Sequence, residues 1–117
     1  NRFGMILGEV AMRSGHKWLD DLLKYLKKNK DIFDKEIKSI KCLSSMRIDS
    51  TYLAWVDFSK TGEPENTNYK KLINHAKIIS KRGSTFGLGG YNHFRFNLAT
   101  STNLVKESTE RLRSVFK

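Results

Sequence analysis

One cysteine and one proline are all that the 117 residues contain, and no run approaches the roughly 18 consecutive apolar residues of a membrane helix. A lone Cys42 excludes an internal disulfide and any cysteine-cluster metal site, and it makes a reducing, cytoplasmic setting the default expectation. No signal peptide is evident, because Ile6 and Leu7 have no sustained apolar segment around them. The first residue is Asn1 rather than methionine, as expected of a processed chain or a piece of something longer. With 38% hydrophobic content the sequence supports one domain with a modest core, and no linker marks a second.

Acid is also scarce, and in one place it is missing. Against 22 basic residues stand 12 acidic ones, a net charge of +10. Between Asn66 and Lys106 there is no Asp or Glu, while Lys70, Lys71, Lys77, Lys81, Arg82, Arg95 and Lys106 all fall there. A field of one sign favours anionic partners: nucleic acid, phosphate cofactors or carboxylate substrates. Lysines that merely solvate a helix face give the same pattern. A nucleic-acid-binding module needs aromatics interleaved with Lys and Arg on an exposed strand face, or helix-turn-helix spacing, and neither is found. A non-enzymatic, basic nucleic-acid-binding or regulatory interaction module remains the alternative from a different class.

What is present is regular amphipathic patterning. Phe3 to Arg13 reads as a short helix, broken at Ser14-Gly15. From Lys17 a long helix follows, with Leu19, Leu22, Leu23, Leu26, Phe33, Ile37 and Ile40 on one face and Lys30 interrupting the stripe, its stem able to snorkel. Thr51 to Phe58, rich in β-branched and aromatic residues, reads as a largely buried strand that takes Tyr52 and Trp55 into the core. Pro64 leads into a helix striped by Tyr69, Leu72, Ile73 and Ala76. Ile78-Ile79 reads as a very short strand, and His93 to Ala99 as a clear one. There Phe94, Phe96 and Leu98 share one face, and Arg95 and Asn97 share the other. Thr100-Ser101-Thr102 supplies capping hydroxyls for a closing helix carrying Leu104, Val105, Leu112, Val115 and Phe116. The expected fold class is α/β, in a two-layer α+β arrangement: a small antiparallel-rich sheet with helices packed on it.

Chemistry concentrates in one stretch. The glycine-rich segment from Gly83 to Gly90 contains no acid and leads directly to Arg95 on its strand. Mobile backbone closing around a ligand, with a guanidinium gripping it through two parallel hydrogen bonds, is a way to capture an anion. Other chemistries find no support. His16, His75 and His93 are scattered and none sits in a recognisable Ser or Cys context, so a hydrolase triad is not indicated. No two histidines or carboxylates show metal-ligand spacing. Gly87-x-Gly89-Gly90 is neither a Walker motif nor a dinucleotide fingerprint, and it precedes a strand rather than a helix.

Four segments in order carry a resemblance: Trp18-Leu19-Asp20 with Leu23, Tyr25-Leu26 and Asn29; Ser50-Thr51-Tyr52-Leu53-Ala54-Trp55-Val56-Asp57; Gly83-x-Thr85-Phe86-Gly87; and Phe94-Arg95-Phe96-Asn97. Together they resemble the C-terminal small domain of MalY/PatB-type cystathionine β-lyases, within the fold-type I pyridoxal-phosphate aminotransferase superfamily. The resemblance covers nearly the whole chain. Two departures are Arg82 and Ile48, where the family usually has proline before the glycine loop and before the Thr-Tyr-Leu-Ala-Trp strand.

The resemblance implies that residues 16–117 form an aminotransferase-like small domain and residues 1–15 an interdomain junction. It implies that Arg95 binds the substrate α-carboxylate, that Asn97 orients the guanidinium, and that Gly83, Ser84, Thr85, Phe86 and Gly87 lie at the pocket mouth. It further implies pyridoxal 5'-phosphate in a full-length homodimeric enzyme that cleaves cystathionine or a cysteine conjugate to pyruvate, ammonia and a thiol, the cofactor serving as electron sink. Transamination is the close competitor. The Schiff-base lysine belongs to a preceding large domain, so no lysine here is given a catalytic role, and the chain alone is expected neither to hold the cofactor nor to catalyse. No metal, no membrane and no nucleic acid enter this reading.

Overall fold

The computed structural model describes all 117 residues, Asn1–Lys117. Helix α1 (Arg2–Ser14) is capped by the Asn1 side chain, which accepts hydrogen bonds from the amides of Phe3 and Gly4. It gives way at Gly15, where a Cβ would lie 2.4 Å from the Ala11 carbonyl oxygen, so the tight turn into α2 (His16–Lys38) demands glycine. After α2 come strands β1 (Ser44–Ser45) and β2 (Leu53–Asp57), helix α3 (Glu65–Asn74), and strands β3 (Lys81–Arg82) and β4 (His93–Asn97). Helix α4 (Thr102–Val115) closes the chain. Ser101 caps α4, its hydroxyl accepting from the Leu104 amide, as the run of hydroxyls predicts.

The four strands form one antiparallel sheet in the order β1-β2-β4-β3. Ala54 and Val56 of β2 and Phe94 and Phe96 of β4 point to the helical layer and are buried, so the α+β two-layer expectation holds. Against them pack Phe33 and Ile37 from α2, Leu72 from α3, and Val105, Leu112 and Phe116 at the C-terminus. Phe58 locks the centre, meeting Phe94 and Phe116 edge-on at ring distances of 4.8 and 5.1 Å. Truncating such a ring to alanine costs about 3–5 kcal/mol, which fixes the sheet firmly on its helices. No helix is long and apolar enough to cross a membrane.

Several expectations shift. Ile78-Ile79 forms no strand: Lys77 adopts φ +57°, the Ile78 amide donates to the Leu72 carbonyl, and Ile79 is exposed. These residues turn the chain out of α3, and pairing starts only at Lys81. The stripe of α2 is buried from Phe33 onward, whereas Leu19 and Leu23 lie exposed because no element of this chain covers them. Leu104 likewise faces solvent. Lys30, which interrupts that stripe, is half-buried and pairs with Asp34 at 3.2 Å. Apolar Phe3, Met5, Leu7 and Met12 on α1 are also exposed.

Candidate functional site

Strand alternation builds the site. With Phe94 and Phe96 committed to the core, His93, Arg95 and Asn97 occupy the sheet face away from the helices. The register then sets their neighbours: Asp57 opposite His93, Trp55 opposite Arg95, Leu53 opposite Asn97, and on the other side Lys81 opposite Arg95. Trp55, Arg95 and Lys81 therefore form one row across three strands.

Arg95 is half-buried and enters none of the ion pairs or side-chain hydrogen bonds of the chain. Its guanidinium carbon lies 4.6 Å from the centre of the Phe86 ring. Phe86 in turn meets Trp55 edge-on at 5.7 Å, and Trp55 stacks on the His93 imidazole at 5.7 Å. A partly desolvated guanidinium with an aromatic wall and no carboxylate of its own is suited to receive an external planar anion.

The acid on this face is already engaged. Burial alone would raise the Asp57 carboxyl, but hydrogen bonds from Ser59, its amide at 2.7 Å, together with His93 and Lys60, bring it below its ordinary value. His93 Nδ1 is 2.9 Å from the Tyr91 carbonyl oxygen, which can only accept, so Nδ1 carries a proton there. Nε2 then faces Asp57 Oδ1 at 3.9 Å.

The glycine loop is held more tightly than its composition predicts. Its root is a backbone contact between Gly83 and Gly90: a Cβ on either would fall 2.1 Å from the other's carbonyl oxygen. Ser84 then donates through its hydroxyl to Glu65 Oε2 at 2.6 Å, tying the loop to the start of α3. Thr85 donates to the Arg82 carbonyl. Gly87 takes φ +116°, a conformation side chains resist. Instead of a mobile flap, the segment is a pinned ring that presents Phe86 to Arg95.

Other residues singled out from the sequence lie differently. Asn97 shares the face with Arg95 but accepts from the Ala99 amide at 2.8 Å and makes no hydrogen bond to the guanidinium. Tyr52 is exposed and Trp55 stands on the open face, so neither joins the core; an inward-facing apolar run cannot continue where the strand alternates. The fixing role of Glu65 had no signal, since it lies just outside the acid-free span. Of the lysines, only Lys30 and Lys71 are half-buried, and both are ion-paired, to Asp34 and Glu63.

The chain is 28% identical to cystathionine beta-lyase PatB of Bacillus subtilis over 97% of its length and 30% of that relative. It is 32% identical to cystathionine beta-lyase of Corynebacterium glutamicum over 96% of its length, again 30% of the relative. Protein MalY of Escherichia coli is 36% identical over 75% of the chain and 23% of its own length. Among solved structures, a PLP-bound protein of Clostridium difficile 630, provisionally named an aminotransferase, superposes over the whole chain with a TM-score of 0.92 at 30% identity, covering 30% of that protein. Cystalysin of Treponema denticola, containing a pyridoxal 5'-phosphate cofactor, matches 92% of the chain and 27% of its own length at a TM-score of 0.85 and 30% identity. No protein-family model matches. The chain thus spans about 30% of the length of the curated relatives it matches over nearly its whole length. Extended over the sheet, the glycine ring and the helical layer alike, this likeness shows that the chain belongs to the MalY/PatB-type cystathionine β-lyase family, on the fold of PLP-dependent aminotransferases.

Proposed function

We propose that this chain is the C-terminal small domain of a PLP-dependent carbon–sulfur β-lyase, in which Arg95 binds the α-carboxylate of the amino-acid substrate. The observation that carries the reading is the half-buried, unpaired guanidinium of Arg95 on the open sheet face beneath Phe86. A bidentate grip on the carboxylate fixes the orientation of the substrate's Cα, and the Phe86 ring excludes water from one side of the guanidinium. Residues 1–15 serve as the junction and residues 16–117 as the domain. The exposed apolar side chains of α1 and of the start of α2 meet the large domain, and the parent enzyme is a cytoplasmic homodimer.

The residues present do not by themselves fit pyridoxal 5'-phosphate. No lysine occupies a desolvated, unpaired position, and the one acid on the open face, Asp57, is engaged by Ser59 and His93. The cofactor and its lysine are therefore assigned to the part of the parent enzyme outside these 117 residues, and the chain alone is inactive. The net reaction assigned to that parent is elimination of a thiol from cystathionine or a cysteine conjugate, leaving pyruvate and ammonia.

The test is pyruvate and thiol release from L-cystathionine by the intact PLP-loaded protein and its Arg95→Ala variant. Stoichiometric pyruvate and thiol are expected. The variant should lose about 2–4 kcal/mol of transition-state stabilisation, measured in kcat/KM. Amino-group transfer to an added keto acid without elimination would make the parent a transaminase. Unchanged efficiency in the variant would remove Arg95 from the site.

A further inference from the structure

Lys81 of β3 stands directly opposite Arg95 of β4 in the antiparallel register. Directly opposed residues share a face with Cβ atoms about 4.5–5.5 Å apart, and like charges so placed repel. Nothing in the chain relieves this pair: neither Lys81 nor Arg95 has an ion-pair partner, and no acid occurs between Asn66 and Lys106. The two cations border one depression, which Leu53, Ser80 and Asn97 also line. Two unpaired cations at the rim of one depression, with no acid of the chain to neutralise them, mark a place where an anion is missing.

We propose that this depression is a two-cation subsite, in which Lys81 binds a second carboxylate of a substrate whose first carboxylate is held by Arg95. The inference rests on the carboxylate reading of Arg95 and sharpens it: the favoured substrates carry an acid group on the side chain as well as at Cα. Lys81, being exposed, contributes selectivity rather than the main grip.

The probes are glutarate, a five-carbon diacid, and valerate, the five-carbon monoacid, titrated calorimetrically into the intact PLP-loaded protein and its variants. Glutarate is expected to bind about threefold to tenfold more tightly than valerate. Lys81→Met should erase that preference, whereas Lys106→Met, which removes the same charge elsewhere, should keep it. Arg95→Ala should weaken both acids. A preference that survives Lys81→Met, or disappears equally in Lys106→Met, overturns the two-cation subsite. Indifference of both acids to Arg95→Ala overturns instead the carboxylate role of Arg95, and binding of neither acid overturns both.

Discussion

The Phe86 ring lies over the Arg95 guanidinium at 4.6 Å while its own flank meets Trp55 at 5.7 Å, so the aromatic wall of the site is itself buttressed. A cation held this way keeps one orientation while remaining free to receive an anion. Phe86→Ala in the intact enzyme should raise KM about threefold to tenfold, corresponding to roughly 0.5–1.5 kcal/mol, with a smaller change in kcat. Phe86→Trp should restore the lower KM. Steady-state kinetics of the three proteins checks both statements.

Two glycines of the same loop should respond differently to alanine. At Gly83 the new methyl meets the Gly90 carbonyl oxygen at 2.1 Å, a backbone clash that only movement of the strand ends can relieve. At Gly87 nothing lies within 4 Å, and the penalty comes only from φ +116°. Gly87→Ala should cost about 1–3 kcal/mol, and Gly83→Ala more than that, as read by urea denaturation. Equal losses would mean that the Gly83–Gly90 contact is not a constraint.

Asn29 is fully buried in α2 and holds the chain beyond β4. Its Nδ2 donates to the carbonyls of Leu98 and Thr100 at 3.0 and 2.8 Å, and its Oδ1 accepts from the Thr102 hydroxyl at 2.8 Å. Asn29→Ala strands those carbonyls and should destabilise the fold by about 2–4 kcal/mol. A loss below about 1 kcal/mol in thermal or chemical denaturation would contradict this clip.

Asp57 has its carboxyl held below the ordinary value, so the folded state prefers it ionised. Its contribution is present above the unfolded carboxylate pKa, about 3.9, and is lost as pH falls through the lower folded value. Asp57→Asn should therefore lower stability near neutrality, on the order of 0.5 kcal/mol after solvent screening. Denaturation curves of the two proteins should converge toward pH 3, and a constant gap across that range would sink the assignment.

Periodicity was a reliable guide wherever one face of an element meets the core. Phe33 and Ile37, Leu72, Phe94 and Phe96, and Val105 and Leu112 all lie where helical or strand spacing puts them. The placement of Arg95 and Asn97 on the opposite face follows from the same alternation. The short edges were not legible: Ser44-Ser45 and Lys81-Arg82 form strands by backbone pairing alone, and two polar residues carry no pattern. Trp55 misled because an aromatic in a β-rich run suggests burial, whereas its parity with Arg95 sets its face. The pinning of the loop by Glu65 and by two glycine backbones depends on long-range contacts, which composition does not encode.

The Gly83–Gly90 contact carries a consequence for how such a domain diversifies. Because the ring is closed at its base by backbone, the six residues between the two glycines form an exchangeable cassette whose ends are fixed on the sheet. Changing the tip alters what faces Arg95 without touching the register of β3 and β4. If Arg95 holds the carboxylate as proposed, new ligand preference is open to a combinatorial library over residues 84–89 at little risk to the core.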